Sequence, residues 1–474
     1  MKMKNTGFSK AYLTQPSETS LDNLVVIGDV PKWLSGSFVS NGPAQFEVNT
    51  THFNHWFDGF AMLKKFNFES GKVSFQNRFL RSQQYAISNT SGRLNSNEFA
   101  TYANTSLLGR LRRSIKGLMD GNIYDNCNIN TTCIADHFIA MTETSDIIEF
   151  KLNDLSTIGP FQFADNVQGQ LASAHPHLDI ATGEIINIAI EVGRIIKYHI
   201  YKIVPHSIKR EIIQTYISKK LFYMHSFSIT SNYVILFKSP LVINKFKLLL
   251  GLPFNDTLSW LRNNPSSFII IDRNDGSTRE IETDPFVCLH NVNAYENGNE
   301  VILDLICHGD GNPYNYLYLS NLQSPQPNLP SGTLRRYVID INSKRCGYTT
   351  LSSYNQEFPR INYKAINGKD YQFIYTNLIT NAGQRFFNAI QKFNVRTGKI
   401  QCYEKMNYYI GEPVFVARPH GQFEDDGMLL SIAFNTDNQC SSLVILDAQS
   451  MQQVAEAFLP VHLPLGLHGN FYRC

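Results

Sequence analysis

The 474-residue sequence lacks the features that mark membrane-spanning, secreted and nucleic-acid-binding proteins. No stretch approaches the roughly 18 consecutive apolar residues that a membrane-spanning helix needs. Residues 1–20 are polar and contain no apolar core of a secretory leader. The 42 basic and 40 acidic side chains nearly cancel, so no overall positive field favours nucleic acid. We therefore expect a cytoplasmic protein without a nucleic-acid partner.

Cysteine and tryptophan are both used sparingly. The eight cysteines are scattered and form no CxxC pair, which argues against a zinc-finger site and against a disulfide framework. Three Trp stand against 32 Phe and 23 Tyr, a usage that suits β-strands and an apolar ligand tunnel but suits an ordinary β core equally well. Hydrophobic residues make up 43% of the chain, which at this length is enough to build a core around a cavity.

One local pattern recurs along the chain: a short β-type run, an Asx or Gly turn, and a second β-type run. Gly and Asx supply the backbone conformations that tight hairpins require, and many short hairpins indicate a sandwich, a barrel or a propeller. At about 40–60 residues for each four-stranded blade, the length fits six to eight blades. We predict an all-β fold, a seven-bladed β-propeller, in a single domain over residues 1–474. The clearest examples of the pattern are residues 66–73 (FNFESGKV), 180–185 (IATGEI), 271–276 (IDRNDG) and 393–398 (FNVRTG).

Two segments break this pattern, namely residues 107–119 (LLGRLRRSIKGLM) and 241–254 (LVINKFKLLLGLPF). Both combine apolar side chains with basic ones, which is typical of a segment that lies in a lipid interface. A capping helix and a buried loop are the alternative interpretation. On the interfacial interpretation, the membrane-facing side chains are Leu107, Leu108, Leu111, Ile115, Phe246, Leu248, Leu249 and Leu250.

Four of the thirteen histidines stand out by their sequence context: His175, His225, His290 and His468. The first three adjoin strand-like runs, and His468 lies close to the end of the chain, where a functional residue is expected only if the last strand is locked into the fold. The inner strands of several blades converge on a propeller axis, where a metal ion can bind. The competing local pairs, His52 with His55 and His175 with His177, are weaker candidates because a zinc site needs further partners.

Ten short motifs follow one another along nearly the whole chain. They are residues 40–43 (SNGP), 54–59 (NHWFDG), 78–82 (RFLRS), 174–177 (AHPH), 225–227 (HSF), 290–296 (HNVNAYE), 314–319 (YNYLYL), 357–363 (EFPRINY), 411–413 (GEP) and 467–469 (LHG). In this order the motifs resemble those of the carotenoid cleavage oxygenases, and within them the animal-type β-carotene oxygenases and the retinoid isomerohydrolase of retinal pigment epithelium.

The resemblance implies a seven-bladed propeller, with short helices and loops forming a cap over an axis that bears Fe(2+). It places the iron ligands at His175, His225, His290 and His468. It also places Glu143, Glu357 and Glu412 against ligand histidines, where each would accept the far ring N–H and fix the tautomer. The other histidines then have structural roles. The substrates implied are an apolar polyene, a carotenoid or apocarotenoid, and O2, reached by peripheral contact with a membrane.

Three other functions remain open at this stage. A retinyl-ester isomerohydrolase would use the same iron site, and only the residues of the tunnel could distinguish it. A stilbene-cleaving oxygenase needs a tyrosine and a lysine to deprotonate a phenol, and no such pair can be identified. A metal-free propeller that binds lipids is the non-enzymatic alternative.

Overall fold

Antiparallel strands dominate the computed structural model, which describes residues 7–103, 124–309, 311–380 and 386–473. Seven sheets of four or more strands form the seven blades of a propeller, which confirms the predicted fold. The blades are numbered here in the order in which the chain builds their central strands. Each blade presents its innermost strand to the central axis.

The strand bounds are as follows. Blade 1 consists of Ser20–Leu21, Gly36–Ser40, Pro43–Gln45, Phe60–Glu69, Lys72–Phe79 and Gly469–Tyr472. Blade 2 consists of Asn130–Ile134, His137–Met141, Ile148–Phe150 and Thr157–Pro160. Blade 3 consists of Leu171–Ala172, His177–Leu178, Ile185–Val192, Ile196–Ile203 and Glu211–Ser218. Blade 4 consists of Ser228–Ile229, Tyr233–Lys238, Ser266–Asp272 and Thr278–Thr283.

The remaining blades follow the same plan. Blade 5 consists of Val287–Asn297, Glu300–His308, Gly332–Asp340 and Arg345–Ser352. Blade 6 consists of Asn355–Arg360, Phe373–Ile379, Ala389–Asn394 and Ile400–Glu404. Blade 7 consists of Val25–Gly28, Tyr408–Ile410, Val414–Ala417, Gly427–Asn435, Cys440–Asp447 and Gln453–Phe458. Two small hairpins pair Glu47–Val48 with Thr51–His52 and Leu241–Ile243 with Leu258–Trp260.

The turns predicted from the sequence are hairpin turns in the structure. Their glycines have positive φ angles, a conformation that glycine adopts without the steric penalty of a Cβ atom. The hairpin between Phe60–Glu69 and Lys72–Phe79 also has Ser70 at φ 52°, next to Gly71 at 83°. The other three glycines are Gly183 at 73°, Gly276 at 72° and Gly398 at 72°.

Apolar side chains from facing blades form the core. Between blades 4 and 5, for example, the rings of Phe237 and Phe286 stack with their centroids 4.4 Å apart, and both are almost fully buried. Removing a ring of this size from water contributes about 1.5–3 kcal/mol. Because a blade is covered on both faces by its neighbours, central strands such as Ser266–Asp272 are buried along nearly their whole length.

The two ends of the chain close the ring. Val25–Gly28, near the start, forms the outermost strand of blade 7 by pairing with Gln453–Phe458. Gly469–Tyr472, near the end, forms the innermost strand of blade 1 by pairing with Gly36–Ser40. This second pairing explains how His468, a few residues from the end, is held in place.

Short helices and loops form the predicted cap at one end of the axis. The cap is tied together by backbone hydrogen bonds such as Trp56 N–H to the Leu317 carbonyl at 3.1 Å and Asn255 N–H to the Phe99 carbonyl at 2.9 Å. Within the residues that the structure describes, the α-helices are Gln83–Ser91, Lys245–Leu249, Phe254–Thr257, Leu319–Leu322 and Tyr363–Ile366. The 3-10 helices of the same residues are Gly7–Tyr12, Trp56–Asp58 and Pro313–Tyr316.

The second apolar segment, residues 241–254, divides into two parts. Leu241 and Ile243 are buried in a strand, whereas Phe246, Leu249 and Leu250 are exposed. Leu248 is half-buried. Leu107, Leu108, Leu111 and Ile115 of the first segment lie outside the described residues. No helix in the described part of the chain is long and apolar enough to cross a membrane.

A substitution at Gly42 tests how closely the backbone packs where the ring closes. A Cβ atom at Gly42 would lie 2.6 Å from the Gly466 Cα and 3.0 Å from the Leu467 backbone nitrogen. Because backbone atoms cannot move aside as a side chain can, we expect Gly42→Ala to lower the free energy of unfolding by about 1–3 kcal/mol in chemical denaturation. Gly347→Ala is the control, since nothing lies within 4 Å of its added Cβ and its φ is not positive. Equal stability of the two variants would contradict the close approach.

Candidate metal centre

Four histidines meet on the axis, carried by four different blades. His175 lies between the two short inner strands of blade 3, and His225 lies three residues before the inner strand of blade 4. His290 belongs to the inner strand of blade 5, and His468 immediately precedes that of blade 1. Their nearest ring nitrogens all lie within 4.8 Å of one another. The structure thus brings together all four histidines selected from the sequence.

Irregular backbone in the inner strands aims these side chains. In blade 3 the strand stops at Ala172 and resumes at His177, and His175 lies in the gap. In blade 5 the pairing shifts register between Cys288 and Asn291, around His290. A regular strand sends successive side chains to opposite faces, whereas an interruption or bulge turns one of them in a new direction. Here that direction is the axis.

The nitrogen-to-nitrogen distances fit a single ion. His175 Nε2 lies 3.0 Å from His225 Nε2, which lies 3.3 Å from His290 Nε2. His290 Nε2 in turn lies 3.1 Å from His468 Nε2. An imidazole nitrogen binds a divalent metal such as zinc at about 2.1 Å, so two such nitrogens at right angles around one ion lie about 3.0 Å apart.

Glutamates hold the far side of three of the rings. His225 Nδ1 lies 2.6 Å from Glu143, His290 Nδ1 lies 2.5 Å from Glu357, and His468 Nδ1 lies 2.8 Å from Glu412. The three carboxylates come from blades 2, 6 and 7, so that every blade supplies either a histidine or a glutamate. Within the described residues, His175 is the one ring of the four with no carboxylate recorded at Nδ1.

This arrangement determines which nitrogen carries the proton. A carboxylate only accepts hydrogen bonds, so the Nδ1 atoms of the three paired rings donate, and in the neutral rings Nε2 is a bare lone pair. These lone pairs then face one another at hydrogen-bond distance with no proton between them. A cation placed among the four Nε2 atoms would attract the lone pairs, and each of the four nitrogens could bind it. The residues present therefore fit a metal ion held by four imidazoles.

Burial keeps the rings available for a metal. It lowers the pKa of His175 well below its ordinary value, and the neighbouring rings lower it further. Burial also lowers the pKa of His468 to about 4, although Glu412 opposes the shift. Neutral imidazole is the form that ligates metals.

Glu357 and Glu412 remain ionised in spite of their burial. Burial alone raises the pKa of Glu412, but the Arg360 guanidinium and His468 outweigh it and lower the pKa to about 2. Burial likewise opposes ionisation of Glu357, but His290 and His308 more than offset it and lower the pKa below its usual range. Both carboxylates can therefore balance the charge of a bound metal.

A narrow apolar cavity of about 60 Å³ adjoins the histidines beneath the cap. His225, His290 and His468 reach its wall, together with Glu357. The remaining wall is mostly apolar and strongly aromatic. Its aromatic members are Trp56, Phe57, Tyr314, Phe358, Phe386 and Phe387. A ligand in this cavity would lie beside the metal in a nearly dry environment.

Three groups whose roles were not predicted from the sequence support the glutamates. Arg360 binds both oxygens of Glu412 at 2.9 Å, and His308 Nε2 donates to Glu357 at 2.8 Å. The Tyr223 hydroxyl donates to Glu143 at 2.8 Å and also contacts the Tyr314 hydroxyl. Arg360 and Tyr314 lie inside the motifs that carry the resemblance, which was a usable signal, whereas nothing in the sequence around His308 indicated its position.

The other histidines considered from the sequence lie outside the cluster. His55 is buried in the cap, where its Nε2 lies 2.9 Å from the Tyr314 carbonyl and its Nδ1 accepts the Phe57 N–H. His177 lies between the Tyr363 hydroxyl and the Phe227 carbonyl. His52 is on an exposed hairpin.

Comparison with known proteins gives a consistent result. The RPE65 family model, described as retinal pigment epithelial membrane protein, matches residues 12–473. The mouse β,β-carotene 15,15′-dioxygenase is 30% identical over 94% of this chain and 88% of its own length. The mitochondrial carotenoid-cleaving dioxygenase of Mustela putorius furo is 28% identical over 94% of this chain and 93% of its own.

Solved structures agree over nearly the full length. A single-residue mutant of the Synechocystis apocarotenoid oxygenase superposes with a TM-score of 0.89 at 26% identity, covering 99% of this chain and 98% of that one. A cobalt-substituted form of the same enzyme superposes with a TM-score of 0.87 at 25% identity, with the same coverage. From its fold, its motifs and the family match over residues 12–473, the chain belongs to the RPE65/carotenoid oxygenase family.

Proposed function

We propose that the protein is a non-haem iron(II) dioxygenase. It cleaves one conjugated C=C bond of a carotenoid or apocarotenoid with O2 and releases two aldehyde or ketone products. The observation that carries this proposal is the set of four converging imidazole nitrogens, backed by glutamates, at the wall of an aromatic cavity. The carotene dioxygenases among the relatives support the substrate class.

His175, His225, His290 and His468 would hold the iron, and the bound metal would supply the chemistry that activates O2. Four neutral imidazoles contribute no negative charge, unlike the two-histidine, one-carboxylate set of many iron oxygenases. Glu143, Glu357 and Glu412 compensate from the far side of the rings and fix ring orientation. Four protein ligands would leave room at the metal for small molecules such as O2.

The cavity selects both the substrate and the double bond that is cleaved. Its aromatic walls favour a flat, apolar polyene and exclude water, and the depth to which the chain enters decides which double bond lies beside the metal. The polyene does not need to bind the metal. The side chains of Trp56, Phe57 and Phe386 are positioned to contact it.

The alternatives are less well supported. A stilbene-cleaving enzyme needs a lysine and a tyrosine together, and none of the described residues that line the cavity is a lysine. A metal-free binding module would leave the Nε2 lone pairs of His225, His290 and His468 facing one another without a cation. A retinyl-ester isomerohydrolase shares the whole iron site, so the products must distinguish it.

We propose that the protein works in the cytoplasm, bound peripherally to a membrane from which it takes its substrate. Phe246, Leu249 and Leu250 are exposed around the basic Lys245 and Lys247, a combination suited to a lipid interface. The segment is joined to the cap through the Asn255 N–H and the Phe99 carbonyl, and Phe99 contacts Phe57 of the cavity wall. All seven described cysteines are free thiols, in keeping with a reducing compartment.

Product analysis tests the function. The iron-loaded protein is incubated in detergent with carotenoids, apocarotenoids, retinyl esters and stilbenes under ¹⁸O2, and products are identified by mass spectrometry. We expect two carbonyl fragments, with label derived from O2, from a polyene. Release of a retinoid alcohol and a fatty acid without O2 consumption would instead identify the isomerohydrolase, and the lack of any product from iron-loaded protein would contradict an enzyme of this family's type.

Glu357→Gln tests the support of the metal. Glu357 accepts hydrogen bonds from His290, His308 and the Phe358 N–H, whereas a glutamine must point an N–H₂ group at one of these donors. We expect iron affinity, measured by competition with a chelator, to fall about 10- to 100-fold with the fold retained. Glu149→Gln is the matched control because Glu149 binds His137 Nδ1 at 2.6 Å outside the cluster. Unchanged iron affinity and turnover in Glu357→Gln would contradict a role of Glu357 in supporting the metal.

Phe246→Asp tests membrane contact. Phe246 is 68% exposed, and inserting such a ring into a lipid interface contributes about 1.5 kcal/mol or more. We expect the partition coefficient to phosphatidylcholine vesicles to fall about tenfold or more, measured by co-sedimentation. Phe423→Asp is the control, since Phe423 is 66% exposed in a different loop. Equal losses in both variants would indicate nonspecific binding and contradict a docking surface at residue 246.

A further inference from the structure

The histidine-bearing segments of blades 3, 4 and 5 are joined by two serine hydroxyls. The Ser173 hydroxyl accepts the His175 backbone N–H at 3.2 Å and donates to the His225 carbonyl at 3.0 Å. It therefore links the backbones of two of the four histidines directly. Ser173 is fully buried, so water does not compete for these bonds.

Ser226 repeats this link one blade further on. Its hydroxyl accepts the Asn291 N–H at 3.1 Å and donates to the Leu289 carbonyl at 2.7 Å. Leu289 and Asn291 flank His290, and Ser226 itself follows His225. The two serines thus join three consecutive blades through the backbones next to three histidines.

The need for these bonds follows from the irregular strands. The gap in the inner strand of blade 3 leaves backbone groups without a strand partner, and a buried unpaired group costs about 1–3 kcal/mol. The side-chain amide of Asn187 donates to the Ser173 carbonyl at 3.0 Å, and that of Asn130 donates to the Ala174 carbonyl at 2.9 Å. Only the serine hydroxyls connect one histidine segment to the next among these contacts.

His175 depends most strongly on such a link. The other three rings are each fixed by a glutamate at Nδ1, whereas no carboxylate is recorded for His175 among the described residues. The His175 Nε2 nevertheless lies 3.0 Å from His225 Nε2. Backbone contacts through Ser173 are a direct physical means of maintaining that distance.

We propose that Ser173 and Ser226 are positioning residues of the metal centre, which set the spacing of His175, His225 and His290 through their backbones. This inference rests on the proposed metal-binding function. Neither serine belongs to the histidine cluster or lines the cavity itself. Each acts by fixing the backbone position of the neighbouring histidine.

The test compares Ser173→Ala and Ser226→Ala with the matched variant Ser239→Ala in the full-length protein. The Ser239 hydroxyl accepts the Leu241 N–H at 3.1 Å and donates to the Phe286 carbonyl at 3.2 Å. It is also buried and also links blade 4 to blade 5, but it adjoins no histidine of the cluster. All three variants lose the same kind and number of hydrogen bonds.

Co²⁺ is the probe, with its dissociation constant and its visible absorption spectrum as readouts. We expect the dissociation constant to rise about 3- to 10-fold in Ser173→Ala and Ser226→Ala, less than the effect of losing a directly bonded glutamate, with altered visible bands. Ser239→Ala should lose similar thermal stability but keep the wild-type dissociation constant and spectrum. Ser226→Thr, which retains the hydroxyl, should restore wild-type values.

Two results would overturn the inference: wild-type affinity and spectrum in both Ser173→Ala and Ser226→Ala, or the same changes in Ser239→Ala. If Ser173→Ala does not fold, Ser226→Ala and its threonine counterpart decide the question. The proposed metal site would survive either result, because wild-type protein would still bind one Co²⁺. Wild-type protein that binds no Co²⁺ or Fe²⁺ would overturn both.

Discussion

Imidazole nitrogens that point their lone pairs at one another are unfavourable unless a cation lies among them, and the structure is organised around this constraint. The Nε2 atoms of successive histidines are 3.0–3.3 Å apart although three of their rings have the proton committed to a glutamate on the far side. Flexible side chains would separate to relieve the repulsion. They are prevented from doing so because each histidine comes from a different blade of a ring whose two closing strands hold its circumference fixed.

A propeller can direct side chains from several strands at one point on its axis, which a single sheet cannot do. In a regular strand, alternate side chains point to opposite faces, and few point along the axis. Here the inner strands are interrupted at His175 and Glu412 and bulged at His290 and Glu357. The backbone groups released by these interruptions are then bound by buried asparagines and serines, such as Asn377, which donates to the Ile410 and Gly411 carbonyls. The polar core of the ring is thus a consequence of aiming side chains at its centre.

The sequence predicted the fold and the members of the cluster for different reasons. Hairpins were predictable because turns such as Ser70–Gly71 depend on local chemistry. The four histidines stood out by their sequence context, and together with the three glutamates they matched the pattern implied by resemblance to a known family. Neither source located His308, which reaches Glu357 from a neighbouring strand. The serine links were equally hidden, since Ser173 and Ser226 resemble any other serine until two distant segments are brought together. Contacts between blades leave no periodic signal in one sequence.

Charge balance connects the cluster to its surroundings. Two buried carboxylates, Glu357 and Glu412, and the partly buried Glu143 next to neutral rings would be costly, because a low-dielectric interior penalises unbalanced charge. Arg360 neutralises one of them at Glu412. A divalent ion at the centre of the four imidazoles would balance the charges of Glu143 and Glu357, from which it would be separated by one histidine ring. Without these carboxylates, no nearby negative charge would balance the ion. Metal and glutamates would therefore stabilise each other through the histidines, and Arg360 and His308 contribute to the same balance through the carboxylates that they bind.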